Sequence, residues 1–284
     1  MGKTLVIDTS TGGLDYYPFE HDVEILRIKI FLNEKGYLDG TELKADEFYE
    51  ILRNDPDLVP KTSQPSIGEV IAFFESFYEQ GYDRFFVTTI SSLLSGTHNA
   101  ISLAREELKD KMEIRVFDTK TVCFSEGLFA LEASKMIREG KSFDDVELKL
   151  NLMRENNTIF FAVDSLSYLV KNGRLSGAAA FVGKLLKIKP ILQVQSTGQI
   201  VSIEKIRNIK VALDSISDKV LAYANGRAFD AYILYTGNPR LKEHFKEIIK
   251  ERLNLENLYE APQTPVVGAH VGPDVVGIGI QLKV

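Results

Sequence analysis

The chain has 284 residues, a length typical of about two domains. Its composition, 44% hydrophobic and 26% charged, is that of a folded globular protein and excludes disorder as the main state. The net charge of −6 at pH 7 disfavours proteins whose main task is to hold nucleic acid or an anionic membrane surface.

Cysteine content and hydropathy indicate a cytoplasmic protein. The single cysteine, Cys123, can form no disulfide within the chain, and a cysteine-rich metal site is excluded. A run of only three apolar residues precedes Asp8, so the N-terminus resembles neither a signal peptide nor a membrane anchor. No later stretch approaches the roughly 18 consecutive apolar residues of a membrane helix. We therefore expect a cytoplasmic location with no evident anchor.

In the first half of the chain, short apolar runs alternate with amphipathic segments. The runs are β-branched and too short for buried helices, so they predict strands. The predicted strands are 5–8, 23–32, 84–90 and 113–117. Predicted helices cover 46–54, 67 to the stop at Gly81, 100–108, 125–139 and 144–156. This alternation predicts a mainly parallel sheet covered on both faces.

The second half shows a different pattern. The predicted strands are 159–163, 188–194, 199–203, 231–235 and 275–284, and the predicted helices are 166–171, 209–224 and 240–253. Residues 196–198 (Ser-Thr-Gly) predict a hairpin turn, which parallel sheets rarely contain. The expected fold class is therefore α/β with two domains. Residues 1–157 would form a three-layer α/β/α domain with a mainly parallel sheet, and 158–284 a two-layer α+β domain with a mixed sheet.

Several common catalytic and nucleotide-binding motifs are missing from the sequence. It contains no G-x-x-x-x-G-K-[ST] loop, no G-x-S-x-G elbow and no H-E-x-x-H motif. The four histidines lack the spacing of metal ligands. We therefore expect no metal site and no nucleotide bound through a familiar loop.

Two hydroxyl-rich segments precede predicted helices. They are 62–66 (Thr-Ser-Gln-Pro-Ser) and 91–97 (Ser-Ser-Leu-Leu-Ser-Gly-Thr). A helix N-terminus offers unpaired N–H groups and a positive dipole end, so either segment could bind a carboxylate or a phosphate. The alternative is that these hydroxyls only cap their own helices.

A third unusual segment is 268–273 (Gly-Ala-His-Val-Gly-Pro), just before the last predicted strand. The glycines permit close approach of the backbone, and we expect His270 on a loop, where its imidazole could donate to an oxyanion. The alternative is a surface histidine without a role.

Basic residues gather around Arg174 and Arg207. The neighbouring lysines are Lys171, Lys184, Lys187, Lys189, Lys205 and Lys210. Such a patch could bind an acidic partner or a phosphate, although a charge cluster is more often a solvated face.

Taken together, these segments resemble the DegV family. The matching segments, in chain order, are 6–10, 62–66, 90–97, 163–169, 173–176, 188–192 and 268–273. The resemblance spans nearly the whole chain. One departure is His98-Asn99, where the family usually has an aromatic residue and a glutamine, and we expect it to alter only local packing.

The resemblance implies a two-domain protein that holds one long-chain fatty acid between its domains. It further implies the binding subunit of a fatty acid kinase, which presents the acid to a dihydroxyacetone-kinase-like subunit for acyl phosphate formation. ATP and magnesium would belong to that partner, so no cofactor is expected on this chain. No nucleic acid is expected as a partner, and a transient membrane contact is allowed.

The family's functional residues transfer to matching positions of this sequence. Thr62 and Ser95 would bind the carboxylate with His270 close by. Their neighbours Ser63, Gly96 and Thr97 are included in the predicted ligand site, and Arg174 and Arg207 would meet the kinase or the new phosphate.

The alternative function is a stand-alone serine hydrolase or acyltransferase that uses Ser95 with His270. No evident aspartate would orient that histidine in the manner of a triad, and no recognisable elbow surrounds Ser95. The carrier hypothesis is therefore preferred, with no catalytic residue on this chain.

Overall fold

The computed structural model describes residues 2–177, 189–255 and 258–284, and within them the strands form three sheets. The strands are β1 (Lys3–Thr9), β2 (Val23–Leu26), β3 (Lys29–Leu32), β4 (Lys35–Leu38), β5 (Lys61–Ser63), β6 (Tyr82–Thr89), β7 (Glu113–Asp118), β8 (Asn157–Val163), β9 (Lys189–Val194), β10 (Ile200–Ile206), β11 (Phe229–Tyr235), β12 (Tyr259–Pro262) and β13 (Val275–Leu282). The helices are α1 (Ala45–Asn54), α2 (Ile67–Tyr78), α3 (Thr97–Leu108), α4 (Phe124–Arg138), α5 (Phe143–Glu155), α6 (Ser167–Lys171), α7 (Ile209–Ala224), α8 (Pro239–Leu253) and α9 (Pro265–Val271).

The first sheet has the order β2-β1-β6-β7, and all of its pairs are parallel. Alternate residues of its strands face opposite layers, because side chains alternate along a strand. Phe85 packs with Phe74 of α2, whereas the next residue, Phe86, packs with Phe143 of α5. Helices therefore cover both faces, and the predicted parallel sheet is confirmed.

The second sheet has the order β10-β9-β8-β13-β11-β12 and is antiparallel except for the last pair. Phe160 and Ile278 belong to a buried cluster with Ile216 of α7 and Phe245 of α8. The opposite face, which includes Phe161, belongs to the cluster that contains the α4 and α5 core. The predicted mixed sheet is confirmed. Along the chain, β8 is the first strand of this sheet, and it begins at Asn157, where we predict the domain boundary.

A third, small sheet was not predicted. Its order is β4-β3-β5, and it packs with α1 and α9 around Phe48 and Ala269. The prediction of one strand over 23–32 is wrong, because the chain leaves the first sheet after β2 and joins the third sheet as β3. Arg27 marks the break, where its guanidinium pairs with the Asp15 carboxylate and donates to the Asp39 carbonyl at 3.0 Å.

The hairpin predicted at 196–198 is confirmed. Strands β9 and β10 are antiparallel, and Gly198 has a φ of 92°, which favours glycine. The Ser91 hydroxyl donates to the Gly198 carbonyl at 2.9 Å, so this turn lies against the loop that follows β6. Within the described ranges, no helix has the length and apolar character needed to cross a membrane.

Candidate functional site

A cavity of about 280 Å³ lies where the three sheets meet. One wall consists of the loops that follow β1, β6 and β7, at the carboxyl ends of the parallel strands. The opposite wall is the face of the second sheet not covered by α7 and α8, and α9 and β5 close the side. The carboxyl edge of a parallel sheet is a common place for a ligand.

Most of the cavity lining is aliphatic. The apolar residues are Ile28, Ile90, Leu94, Val122, Ile159, Phe161, Leu169, Val194, Ile200, Leu234, Val266, Val267, Val271 and Val275. Among the lining residues that the structure describes, Arg174 is the only one with a cationic side chain. The walls thus suit a hydrocarbon, and the charged chemistry is confined to one place.

Thr62 and His270 meet at the C-terminal end of α9. Thr62 Oγ1 lies 2.9 Å from His270 Nε2, although 208 residues separate them in the sequence. Thr62 is held by the pairing of β5 with β3, opposite Ile30. The expectation of hydroxyls gathered at a helix N-terminus is therefore wrong for this residue. Only Ser66 caps α2, through a capping box with Glu69.

His270 lies in α9, so the expectation that it lies on a loop is wrong. The Thr264 side chain caps this helix, and Pro265 starts it. Gly268 is required inside the helix, because a Cβ there would come within 2.4 Å of Tyr49 Oη and 2.7 Å of Phe48 Cε1. Gly268 thus allows the close approach expected of these glycines, although it does so inside a helix.

The imidazole of His270 is neutral at pH 7. Burial, with a smaller contribution from the nearby positive charge of Arg174, lowers its pKa to about 4. Its Nδ1 atom is buried and has no hydrogen-bond partner among the described residues. When Thr62 donates to Nε2, Nδ1 carries the proton and can donate to an oxyanion.

Ser95 lies on the loop between β6 and α3, as expected. Its Oγ lies 2.9 Å from Thr97 Oγ1 and accepts from the Thr97 N–H at 3.3 Å. Gly96 allows the neighbouring Gln64 to approach, since a Cβ at Gly96 would lie 2.0 Å from Gln64 Oε1. Ser63 also lines the cavity but is exposed, and its hydroxyl donates to the Gln64 carbonyl at 3.1 Å.

The pairing of these side chains differs from that of a serine hydrolase. His270 Nε2 contacts Thr62, and Ser95 contacts Thr97. No carboxylate of the described residues accepts a hydrogen bond from His270 Nδ1. The geometry therefore lacks both the nucleophile–base contact and the base–carboxylate contact of a triad.

The two predicted partner-binding arginines lie in different environments. Arg174 lines the cavity, and its Nε donates to the Leu94 carbonyl at 3.1 Å, which fixes it beside the Ser95 loop. Arg207 is exposed, just after β10. Two lysines of the predicted basic patch, Lys184 and Lys187, lie outside the described residues.

Sequence reasoning missed three buried polar residues of the lining. Thr11, Cys123 and Gln263 line the cavity as well and are almost completely buried. No motif pointed to Gln263, and Cys123 was considered only as a disulfide or metal ligand. No group of three or more His, Cys, Asp or Glu side chains in the described ranges could hold a metal ion.

Comparison with known proteins places the chain in a family. It is 31% identical over 284 residues to a DegV domain-containing protein of Clostridium acetobutylicum, with 100% of each chain covered. Its fold is similar to that of a fatty-acid-binding DegV family protein from Streptococcus agalactiae (29% identity, TM-score 0.89, 100% of each chain). It is also similar to DegV, a fatty acid binding protein from Bacillus subtilis (30% identity, TM-score 0.86, 100% of each chain). The family model described as "Uncharacterised protein, DegV family" matches residues 4–283, and this chain belongs to the DegV family.

Proposed function

We propose that this chain binds one long-chain fatty acid in the cavity between its sheets and presents the carboxylate to a separate fatty acid kinase subunit. The observation that carries the proposal is the aliphatic cavity with the Thr62–His270 pair and Arg174 at one end. Relatives of similar fold, from Streptococcus agalactiae and Bacillus subtilis, are fatty-acid-binding proteins.

The aliphatic walls supply the affinity. Burying a CH₂ group contributes about 0.8 kcal/mol, so about 14 to 17 methylenes are ample to drive binding even after the chain loses its flexibility. Solvent cannot hydrate a chain enclosed in this way, so the acid would be carried without exposing its hydrocarbon.

The carboxylate would lie among Thr62, Ser95 and His270. With Thr62 donating to His270 Nε2, the donors left for the carboxylate are the Ser95 hydroxyl and the His270 Nδ1–H, and the Arg174 guanidinium supplies the opposite charge. Ser63, Gly96 and Thr97 would shape this end of the cavity. Neutral His270 suits the role, because it can donate one hydrogen bond while it accepts another.

Presentation to a kinase would fix the carboxylate in one pose. Phosphoryl transfer depends largely on positioning and on stabilisation of charge, so a rigid carrier contributes directly to the reaction. ATP and magnesium would be bound by the dihydroxyacetone-kinase-like partner, and this chain would need no cofactor. Arg207, exposed after β10, would contact the partner. The carrier would act in the cytoplasm, with no nucleic acid partner and at most a transient membrane contact.

The first test is chemical. The purified protein is extracted with organic solvent, bound molecules are identified by mass spectrometry, and native mass gives the stoichiometry. One fatty acid per chain is the expected result. A protein that is free of ligand and takes up no fatty acid would refute the proposal.

The second test addresses the kinase. The loaded protein is mixed with a dihydroxyacetone-kinase-like fatty acid kinase subunit, ATP and magnesium. Acyl phosphate is expected only when both proteins are present. Ester hydrolysis by the chain alone would instead support a hydrolase.

A further inference from the structure

The cavity has a second polar end, at the N-terminal side of α9. Gln263 and Thr11 are both cavity-lining residues, with 2% and 1% of their surfaces exposed. They lie on neighbouring segments, since a Cβ at Gly13 would come within 3.8 Å of Thr264 Cγ2. The contacts described for Thr62, Ser95 and His270 do not involve these residues.

Gln263 presents an acceptor without a partner. Its Nε2 donates to the Ala261 carbonyl at 3.1 Å, and this contact fixes which side of the amide carries the oxygen. The backbone is held as well, because the Gln263 N–H donates to the Tyr235 carbonyl and Tyr49 Oη donates to the Gln263 carbonyl. Its Oε1 atom is buried and accepts no hydrogen bond from any described residue. Buried side-chain oxygens are normally satisfied, so this atom points to a donor that the chain itself does not provide.

Thr11 presents a second acceptor. Its hydroxyl donates to the Glu126 carboxyl, with oxygen–oxygen distances of 2.8 and 3.0 Å. A hydroxyl has one proton and two lone pairs, so once that proton is engaged, Thr11 Oγ1 can only accept. Gln263 Oε1 is therefore the acceptor that lacks a donor, and Thr11 Oγ1, which already lies 2.7 Å from Thr9 Oγ1, can offer a further lone pair beside it.

The separation of the two ends sets where that donor must be. Gln263 and His270 are seven positions apart, most of them in α9, which corresponds to about 10 Å along the helix. An extended chain of single bonds advances about 1.2 Å per bond. A group about eight bonds from the carboxyl carbon would thus reach the Gln263 end.

We propose that the Gln263–Thr11 end is a subsite for a hydroxyl group near the middle of the acyl chain, and that hydroxylated long-chain fatty acids are preferred ligands of this protein. The inference rests on the proposed fatty acid binding and specifies its substrate class. A hydroxyl donates, whereas a keto group at the same carbon only accepts. An unsubstituted methylene offers no donor, so Gln263 Oε1 stays unpaired, as it is in the protein without ligand. Unsubstituted fatty acids therefore bind without the added hydrogen bond.

The experiment compares three classes of probe. They are stearic acid, hydroxystearic acids with the hydroxyl at one carbon from about carbon 7 to about carbon 12, and the keto acids with a carbonyl at the same carbon. Dissociation constants are measured by calorimetry for the wild-type chain and for Gln263→Leu. The wild-type chain is expected to bind one mid-chain hydroxy acid about tenfold tighter than its keto analogue. Gln263→Leu is expected to abolish that preference, so that the hydroxy acid and its keto analogue bind about equally.

Thr11→Val provides a second, independent variant, and it should reduce the same preference. Gln193→Leu is the matched control, because Gln193 lies on β9 outside the cavity lining. The subsite is refuted if the wild-type chain binds hydroxy and keto acids equally, or if Gln263→Leu and Thr11→Val both retain the preference. Failure of the wild-type chain to bind stearic acid and every hydroxy acid would refute the fatty acid proposal itself, and the subsite with it.

Discussion

The two ends of α9 give the cavity opposite polar chemistry. At the C-terminal end, the Thr62–His270 pair and Ser95 lie beside the Arg174 guanidinium, so this end offers donors and positive charge. At the N-terminal end, Thr11 and Gln263 offer acceptors. For a fatty acid bound as proposed, the aliphatic walls between them would provide affinity, and the difference between the ends would set its direction.

Buried acids reinforce this direction. Asp8 and Glu126 are completely buried behind Thr11, where burial raises the pKa of Asp8 to about 7 and holds that of Glu126 well above its usual range. A ligand carboxylate near Thr11 would meet partial negative charge and acceptors. The same carboxylate near Arg174 would meet a full positive charge, so the C-terminal end is favoured.

The role of the C-terminal end in carboxylate binding is tested most directly at Thr62 and Ser95. The double variant Thr62→Val/Ser95→Ala removes the Ser95 donor and the hydroxyl that keeps the His270 proton on Nδ1, and we expect fatty acid affinity to fall at least about a hundredfold. Displacement of a fluorescent fatty acid measures the change, with Thr97→Val as a neighbouring single variant. Unchanged affinity would mean that the carboxylate binds elsewhere in the cavity.

Neutral His270 predicts a pH dependence of stability. Its folded pKa of about 4 lies below the ordinary value of 6.5, so the unfolded chain binds more protons between these pH values. The contribution of His270 is therefore present above pH 6.5 and is lost as the pH falls toward 4, about 2 kcal/mol after allowance for partial exposure. Asp8 and Asp39, whose pKa values are raised to about 7, act in the opposite direction.

The His270 contribution is isolated by urea titrations of wild type and His270→Asn from pH 8 to pH 4. The difference in unfolding free energy between the two should shrink, or change in favour of the variant, as the pH falls. The same replacement at His244, in α8, is the control. A difference that stays constant with pH would show that His270 is not held neutral in the folded chain.

Replacement of Arg174 tests whether its positive charge attracts the carboxylate. Arg174→Leu removes the only cationic side chain among the described lining residues, and we expect about a tenfold loss of affinity. Arg207→Leu, at an exposed position, should leave fatty acid binding unchanged and instead slow acyl phosphate formation with the kinase. Equal effects of the two replacements on fatty acid binding would contradict the assignment.

Ser63 should give the smallest effect. Its side chain is exposed and its hydroxyl already donates to the Gln64 carbonyl. We expect Ser63→Ala to change affinity by less than about twofold in the same displacement assay. A larger loss of affinity would show that the carboxylate-binding end of the cavity extends outward along β5 to Ser63.

The regular elements could be predicted because their patterns are local. The helix over 209–224 was predicted with the bounds of α7, since its apolar spacing and Asn208 cap are properties of adjacent residues. Strands β5 and β12 were missed. Lys61–Ser63 is entirely polar, and β12 ends in Pro262, so each is a strand only because a neighbouring strand pairs with it.

The candidate site was predicted more from residue type than from local structure. Thr62 and His270 were expected to act together, and the structure brings them into contact even though one lies on a strand and the other in a helix. Gln263 could not be predicted, because its exceptional feature is an acceptor left unpaired by tertiary packing. Tyr49, more than 200 residues earlier, helps to hold it in place.

The walls of the cavity come from nearly the full length of the chain, from Thr11 to Val275. The cavity therefore exists only when all three sheets are assembled, and the unfolded chain offers nothing comparable. By mass action, a fatty acid at a hundred times its dissociation constant would add about 2.7 kcal/mol to the free energy of unfolding of the whole protein. Supply of lipid would thus raise the resistance of the protein to heat and proteolysis, and a chain without bound fatty acid would be the more easily degraded form.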